Sequence, residues 1–179
     1  MEWDFYGGYK GTFGKSDFTY DVGGLYYWYP GSSAAGFVKA DNFEVYGAVG
    51  WKWLSAKLNY TLSNKMFGVR DANGTYYFDL SANFPVTDKL TLNAHWGYQK
   101  YTGRDAVGNV AGLSNDTQWS YKDVKLGLTY ALPKDFSIGA FYSKAYDADP
   151  RGYGNIAQGG VFPRPLGDST VTVFIQKTF

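Results

Sequence analysis

Alternation of apolar and polar positions is the dominant pattern in this chain. Stepping back in twos from the C-terminus, Phe179, Lys177, Ile175, Val173 and Val171 fall on one side. Thr178, Gln176, Phe174, Thr172 and Thr170 fall on the other. Side chains in a strand point alternately to opposite faces, so the segment predicts a strand with one apolar and one mostly polar face. Its aromatic terminus suits a strand whose last ring sits at a bilayer interface. Eight further segments carry the same period.

The first runs from Glu2 to Phe13, with Trp3, Phe5, Tyr9 and Phe13 opposite Glu2, Asp4, Lys10 and Thr12. The second, Phe18 to Tyr29, sets Phe18, Tyr20, Val22, Tyr26 and Trp28 against Thr19, Asp21, Leu25 and Tyr27. Pairing Phe13 with Phe18 across the turn 14–17 puts Lys10 opposite Asp21, and Gly7 and Gly8 opposite Gly24 and Gly23. That bare patch marks either a bend or a place that a bulky neighbour fills. A third strand starts at Asn42 and reaches Trp53, and a turn near Leu54–Ser55 leads to a fourth that extends to Met66. The fifth spans Tyr76 to Phe84, the sixth Leu90 to Gln99, the seventh Tyr121 to Leu132 and the eighth Phe136 to Tyr146. Connections 14–17, 54–55, 87–89 and 133–135 are short; 30–41, 69–74, 102–118 and 147–168 are mostly longer.

Short turns at one end, longer loops at the other and strands of about 10–12 residues predict an all-β, antiparallel up-and-down transmembrane barrel. Residues 1–179 are expected to form a single outer-membrane domain. Tyr, Phe and Trp make up 20% of the chain and cluster at the ends of the apolar faces, as interfacial girdles do. A soluble barrel or sandwich would also alternate, but so many aromatic rings overfill a small barrel's interior. The mean hydropathy of -0.34 fits a wall with half its residues in water. No run approaches the roughly 18 apolar residues of a transmembrane helix. A net charge of +1 without a basic stripe gives no reason to expect nucleic acid. Cysteine is absent, which removes disulfide and thiolate chemistry. Glu2-Trp3-Asp4 follows Met1 with no leader, so an exported protein of this sequence is expected to be mature, engineered or truncated.

The segments Glu2-Trp-Asp-Phe-Tyr-Gly-Gly-Tyr-Lys-Gly11 and Tyr20-Asp-Val-Gly-Gly-Leu-Tyr-Tyr-Trp-Tyr-Pro-Gly31 resemble the TorF family of porin-type proteobacterial outer-membrane proteins, a Gcw-type family. Val45-Tyr46-Gly47, Tyr60 through Ser63 and the terminal Phe179 extend the resemblance along the chain. It implies an outer-membrane barrel with transport inferred, and it transfers no catalytic or binding residues. It also implies twelve strands, whereas nine are counted here, so N-terminal strands of the family pattern are missing. Unpaired edge amides in lipid are costly, so a parallel seam, a homo-oligomer or a second chain is expected to close the sheet.

The face expected to line the lumen carries Glu2, Asp4, Lys10, Asp21, Glu44, Lys52, Lys57, Lys65, Asp79, Ser81, Asn93, His95, Asp123 and Lys125. Their nearly balanced signs suit a polar channel that orients small solutes, or ion pairs that pack the lumen shut. With Val86 paired to Leu90, Ser81 lies opposite His95 and Asp79 is one lumen position further on. Ser, His and carboxylate together permit nucleophilic catalysis, but a lumen histidine bonded to a serine is the plainer reading, because no oxyanion donor is evident. One His and no Cys give no metal-ligand clustering. Arg70, Arg104, Arg151 and Arg164 all fall in the longer loops, suited to lipopolysaccharide phosphates, although ordinary solvated loops explain them too. Loop 147–168 is long enough to fold inward as a constriction. The expected function is a passive channel for small polar solutes in a bacterial outer membrane, with the lipid bilayer as partner and neither cofactor nor enzymatic activity. The alternative is a non-conducting structural or adhesive barrel.

Overall fold

Backbone amides on every strand need partners, and the short turns place each strand beside its predecessor. In a computed structural model that describes residues 1–155, 159–161 and 164–178, they generate one large antiparallel sheet. Its strands are β1 (Trp3–Thr12), β2 (Phe18–Trp28), β3 (Asn42–Trp51), β4 (Leu54–Thr61), β7 (Tyr76–Pro85), β8 (Leu90–Lys100), β9 (Tyr121–Ala131), β10 (Phe136–Tyr146) and β11 (Thr170–Lys177). They are hydrogen-bonded in that order, so the sheet has nine strands, as the alternation predicts. A two-stranded hairpin, β5 (Lys65–Met66) with β6 (Val69–Arg70), and two short helices, α1 (Asn115–Trp119) and α2 (Pro150–Tyr153), lie in the longer connections. Strand accounts for 55% of the described residues and helix for 5%.

Register follows the hydrophobic pattern closely, because a slip of one residue would turn every side chain to the wrong face. Lys10 stands opposite Asp21, and Gly7 and Gly8 opposite Gly24 and Gly23. Ser81 stands opposite His95. The glycine patch is filled by a neighbour: a Cβ on Gly8 or Gly23 would lie 2.8 or 2.7 Å from the Tyr46 hydroxyl.

The closed barrel is not found. β1 and β11 are the two ends of the sheet, and among the described residues neither a parallel seam nor any other strand joins them. Nine up-and-down strands leave the first and last running in the same direction, so no antiparallel ladder can form between them.

The turn expected at Leu54–Ser55 lies two residues earlier. Trp51 pairs with Leu54, and Lys52 takes a left-handed φ of 52° in the turn. β4 ends at Thr61 rather than continuing to Met66. The chain then forms the β5–β6 hairpin, whose turn residues Phe67 and Gly68 have φ of 46° and 90°, as a tight hairpin requires. Phe179 lies outside the described residues.

Packing is uneven. Among the described residues the buried apolar side chains are Met66, Val69, Ala72 and Tyr101, with Trp119 packed against them, and all sit at the long-loop end. Among the described residues no protein layer covers the apolar face of the sheet: Leu126 is 56% exposed and Leu128 47%. A sheet in water buries one face against another element, and among the described residues no element does so here.

Candidate functional site

The polar face of β7, β8 and β9 draws five side chains into one cluster around His95. Asp79 Oδ2 lies 3.0 Å from His95 Nδ1 on one side, and Asp123 Oδ1 lies 2.9 Å from Nε2 on the other. Ser81 Oγ donates to Asp79 Oδ1 at 2.7 Å and lies 3.2 Å from Nδ1. The Tyr77 hydroxyl donates to Asp123 Oδ2 at 3.0 Å and lies 3.0 Å from Nε2. Gly97 stands between Asp79 and Asp123 in the ladder, and a Cβ there would collide with the Tyr77 hydroxyl and Asp123 Oδ2. Its bare backbone is what lets Tyr77 and Asp123 meet.

This arrangement differs from a nucleophilic relay. A reacting serine gives its proton to an imidazole whose other nitrogen is held by a carboxylate. Here the Ser81 proton goes to Asp79, and carboxylates face both ring nitrogens. The geometry fixes the ring across three strands. Because the two carboxylates lie on opposite sides of it, they do not converge on a point where a metal would sit, and among the described residues no other such group forms.

Around the cluster the wall stays polar and partly open. Asn93 donates to Asn83 at 2.7 Å and accepts from Thr129 at 2.7 Å. Lys57 and Lys125 flank the cluster in register, opposite Asp79 and His95, but their ammonium groups lie 4.3 Å from the Tyr46 and Phe141 ring centroids instead of pairing with carboxylates. A cleft of about 670 Å3 includes Asp79, Ser81, Asn93, His95, Asp123 and Lys125 in its lining. Leu166 and Asp168, at the end of the long loop, reach the same cleft.

The other expected site residues are dispersed. Asp4 is exposed on edge strand β1. Lys10 faces Asp21 without an ion pair, and Asp21 accepts instead from the Tyr46 hydroxyl at 3.1 Å. Glu44 is buried, accepting from Asn42 at 2.7 Å. Two assignments are corrected. Lys52 sits in the β3–β4 turn, 3.9 Å from Asp17, because the strand ends before it. Lys65 belongs to the β5–β6 hairpin, opposite Arg70, because the wall strand has already stopped.

The longer loops hold an interlocked cap in place of simple solvated turns. Asn115, fully buried, donates to Arg70 O at 2.9 Å and Thr102 O at 2.8 Å. Its Oδ1 accepts from Asp105 N at 2.7 Å and Asn109 Nδ2 at 2.8 Å. Arg70 donates from its backbone to Asp105 at 3.0 Å and from its guanidinium to Gly36 O at 2.6 Å. Burial alone would raise the Asp105 carboxyl. The N–H groups of Arg70, Gly108 and Val107, with the Arg70 guanidinium, outweigh it and hold the group below its ordinary value. Arg151 likewise lowers Asp149 by hydrogen bonding, and Arg104 donates to Gly112 O at 3.3 Å. Arg164 is exposed. The Tyr153 hydroxyl of α2 donates to Trp119 O of α1 at 2.7 Å, tying the two longest loops together.

Sequence reasoning missed Tyr77, Asn115 and the helices. Asp149-Pro150 was a readable start signal, an N-cap followed by proline at the first helical position. Ser114 caps α1 in the same way, through Thr117 N. Tyr77 fell on the polar face by its period, and nothing local marked it as a partner for Asp123.

No curated protein and no solved structure matches the chain. One family, described as a bacterial protein of unknown function (Gcw_chp), matches residues 1–179, and the uncovered apolar wall, the polar cluster and the capped end therefore describe a member of that family: the chain belongs to Gcw_chp.

Proposed function

We propose that this chain forms the wall of a bacterial outer-membrane barrel and acts as a passive channel for small polar solutes, in the manner of the TorF porin-type proteins it resembles. The observation that carries this reading is the opposition of the two faces. Leu126, Leu128, Val49 and Ile138 are exposed on one, while Asp79, His95, Asp123 and Lys125 surround an open cleft on the other. Acyl chains would cover the first face at no cost, and water would fill the second. Closure then comes from additional strands or a second chain at β1 and β11, whose free amides lipid would not satisfy. Lipopolysaccharide is the natural neighbour of the exposed Arg164.

The capped long-loop end supports a second reading, a non-conducting structural or adhesive barrel. Conductance of the protein reconstituted in planar lipid bilayers separates the two. Steady open steps support the channel; silence from correctly inserted protein supports the sealed barrel. Failure to insert at all would sink both.

A further inference from the structure

Two concavities on the polar side of the sheet share part of their lining. One is the cleft at His95; the other, of about 340 Å3, lies toward the cap among Tyr101, Tyr121 and Tyr153. Leu166 and Ala145 belong to both, so they mark the boundary between the two spaces. Gly167 lines the cap-side space and Asp168 the His95 cleft. A solute moving along this wall from the cap to His95 therefore passes Leu166. Backbone bonds hold the segment there: Leu166 N donates to Tyr153 O at 3.0 Å, and Gly167 O accepts from Ala145 N at 3.2 Å. A Cβ on Gly167 would lie 3.5 Å from Ala145 Cβ, so the segment rests directly on β10. Tyr153 is itself fixed, by its hydroxyl on Trp119 O and by its ring against Tyr121 at 5.4 Å. With its backbone held in this way, the Leu166 side chain still remains 57% exposed. It is an apolar group standing out from a polar wall.

Charge beside this boundary is one-sided. Asp79, Asp123 and Asp168 line the cleft, and Lys125 is drawn to the Phe141 ring. Lys144 adjoins the cleft but stands opposite Val124, which puts it on the apolar face. Even with His95 protonated, the three carboxylates outnumber the two cations among them. We infer that segment 166–168 is the constriction of the channel, with Leu166 setting its bore and Asp168 favouring small cations over anions. This inference rests on the channel reading and names the solutes that such a channel passes. An apolar side chain narrows a wet passage without binding what goes through it. A fixed carboxylate next to it raises the local concentration of cations and lowers that of anions.

Current through the full chain in planar bilayers, with unequal potassium chloride on the two sides, tests the inference. The zero-current potential should have the sign of potassium permeating faster than chloride. Asp168→Asn should cut the permeability ratio at least about fourfold, the effect of a unit charge about 5 Å from an ion in water. Leu166→Ala should raise the conductance and keep the ratio. Cysteine is absent from the sequence, so Leu166→Cys supplies a unique thiol. A cationic methanethiosulfonate should react with it faster than an anionic one and reduce the current. The same reaction at Thr87→Cys, in the turn at the opposite rim, should leave the current unchanged. Circular dichroism checks that each variant is folded. Anion preference or none, a ratio unmoved in Asp168→Asn, or full current after modification of Leu166→Cys would each overturn the inference while the channel stands. Silence from inserted wild type defeats the channel and this proposal with it.

Discussion

Replacing Asn115 by alanine should open the cap while leaving the sheet intact. The side chain is fully buried and makes four hydrogen bonds of 2.9 Å or shorter, to Arg70 O, Thr102 O, Asp105 N and Asn109 Nδ2. Alanine satisfies none of them. Each orphaned group costs about 1–3 kcal/mol if it stays dry, and water entering the space recovers part of that. A net local loss of roughly 3–5 kcal/mol follows. Native-state amide exchange reads this directly, since every 1.4 kcal/mol is about tenfold in an opening equilibrium. The Asp105 amide, bound to Asn115 Oδ1, and the Asn115 amide, bound to Gly103 O, should exchange at least ~100-fold faster. Amides in the β8–β9 ladder around His95 should keep their rates, because no Asn115 bond reaches them. If Asp105 remained protected, or if the ladder and the cap accelerated equally, the idea that Asn115 holds the cap as a separate unit would fail.

Three further outcomes follow from the same geometry. The cap should loosen in acid. Asp105 and Asp149 titrate below the ordinary value of 3.8, so their contribution is complete above that value and lost as pH falls through the lowered one; Trp119 emission against pH should show this, with a flatter profile in Asp105→Asn. Gly97→Ala should cost about 1–3 kcal/mol by pushing Tyr77 and Asp123 apart, read as a lower urea midpoint in micelles; an unchanged midpoint would contradict the close approach. Leu128→Arg should oppose vesicle insertion by about 2–4 kcal/mol, whereas Thr129→Lys, on the other face, should have little effect; equal penalties would argue against lipid on the Leu128 side.

The wall was legible because one period and a few short turns determine it. Once Val86 is set against Leu90, every pair from Pro85–Thr91 to Tyr77–Gln99 follows, and Ser81–His95 is among them. The β3–β4 turn was not legible, because Trp51-Lys52-Trp53 holds neither glycine nor proline and continues the alternation through the bend. Met66 was assigned to the wall for a similar reason: its position fits the period, while its burial comes from residues such as Tyr101 that are distant in sequence. In the His95 cluster, Asp79 and Ser81 came from neighbouring register. Asp123 and Tyr77 are 46 residues apart, and no local pattern announces their bond. The cap was hidden in the same way, since the bond from Asn115 to Arg70 spans 45 residues of irregular chain.

The uneven packing has a practical side. On β-rich proteins the long loops are the usual place to graft an epitope or affinity tag, since exposed loop tips tolerate insertion. Here that habit misleads. An insert near Asn109 or Asn115 would split the amide cluster that orders the whole end, whereas Gly14–Asp17 and Thr87–Asp88 bury nothing. Foreign peptides belong in the tight turns of this protein, at the opposite rim.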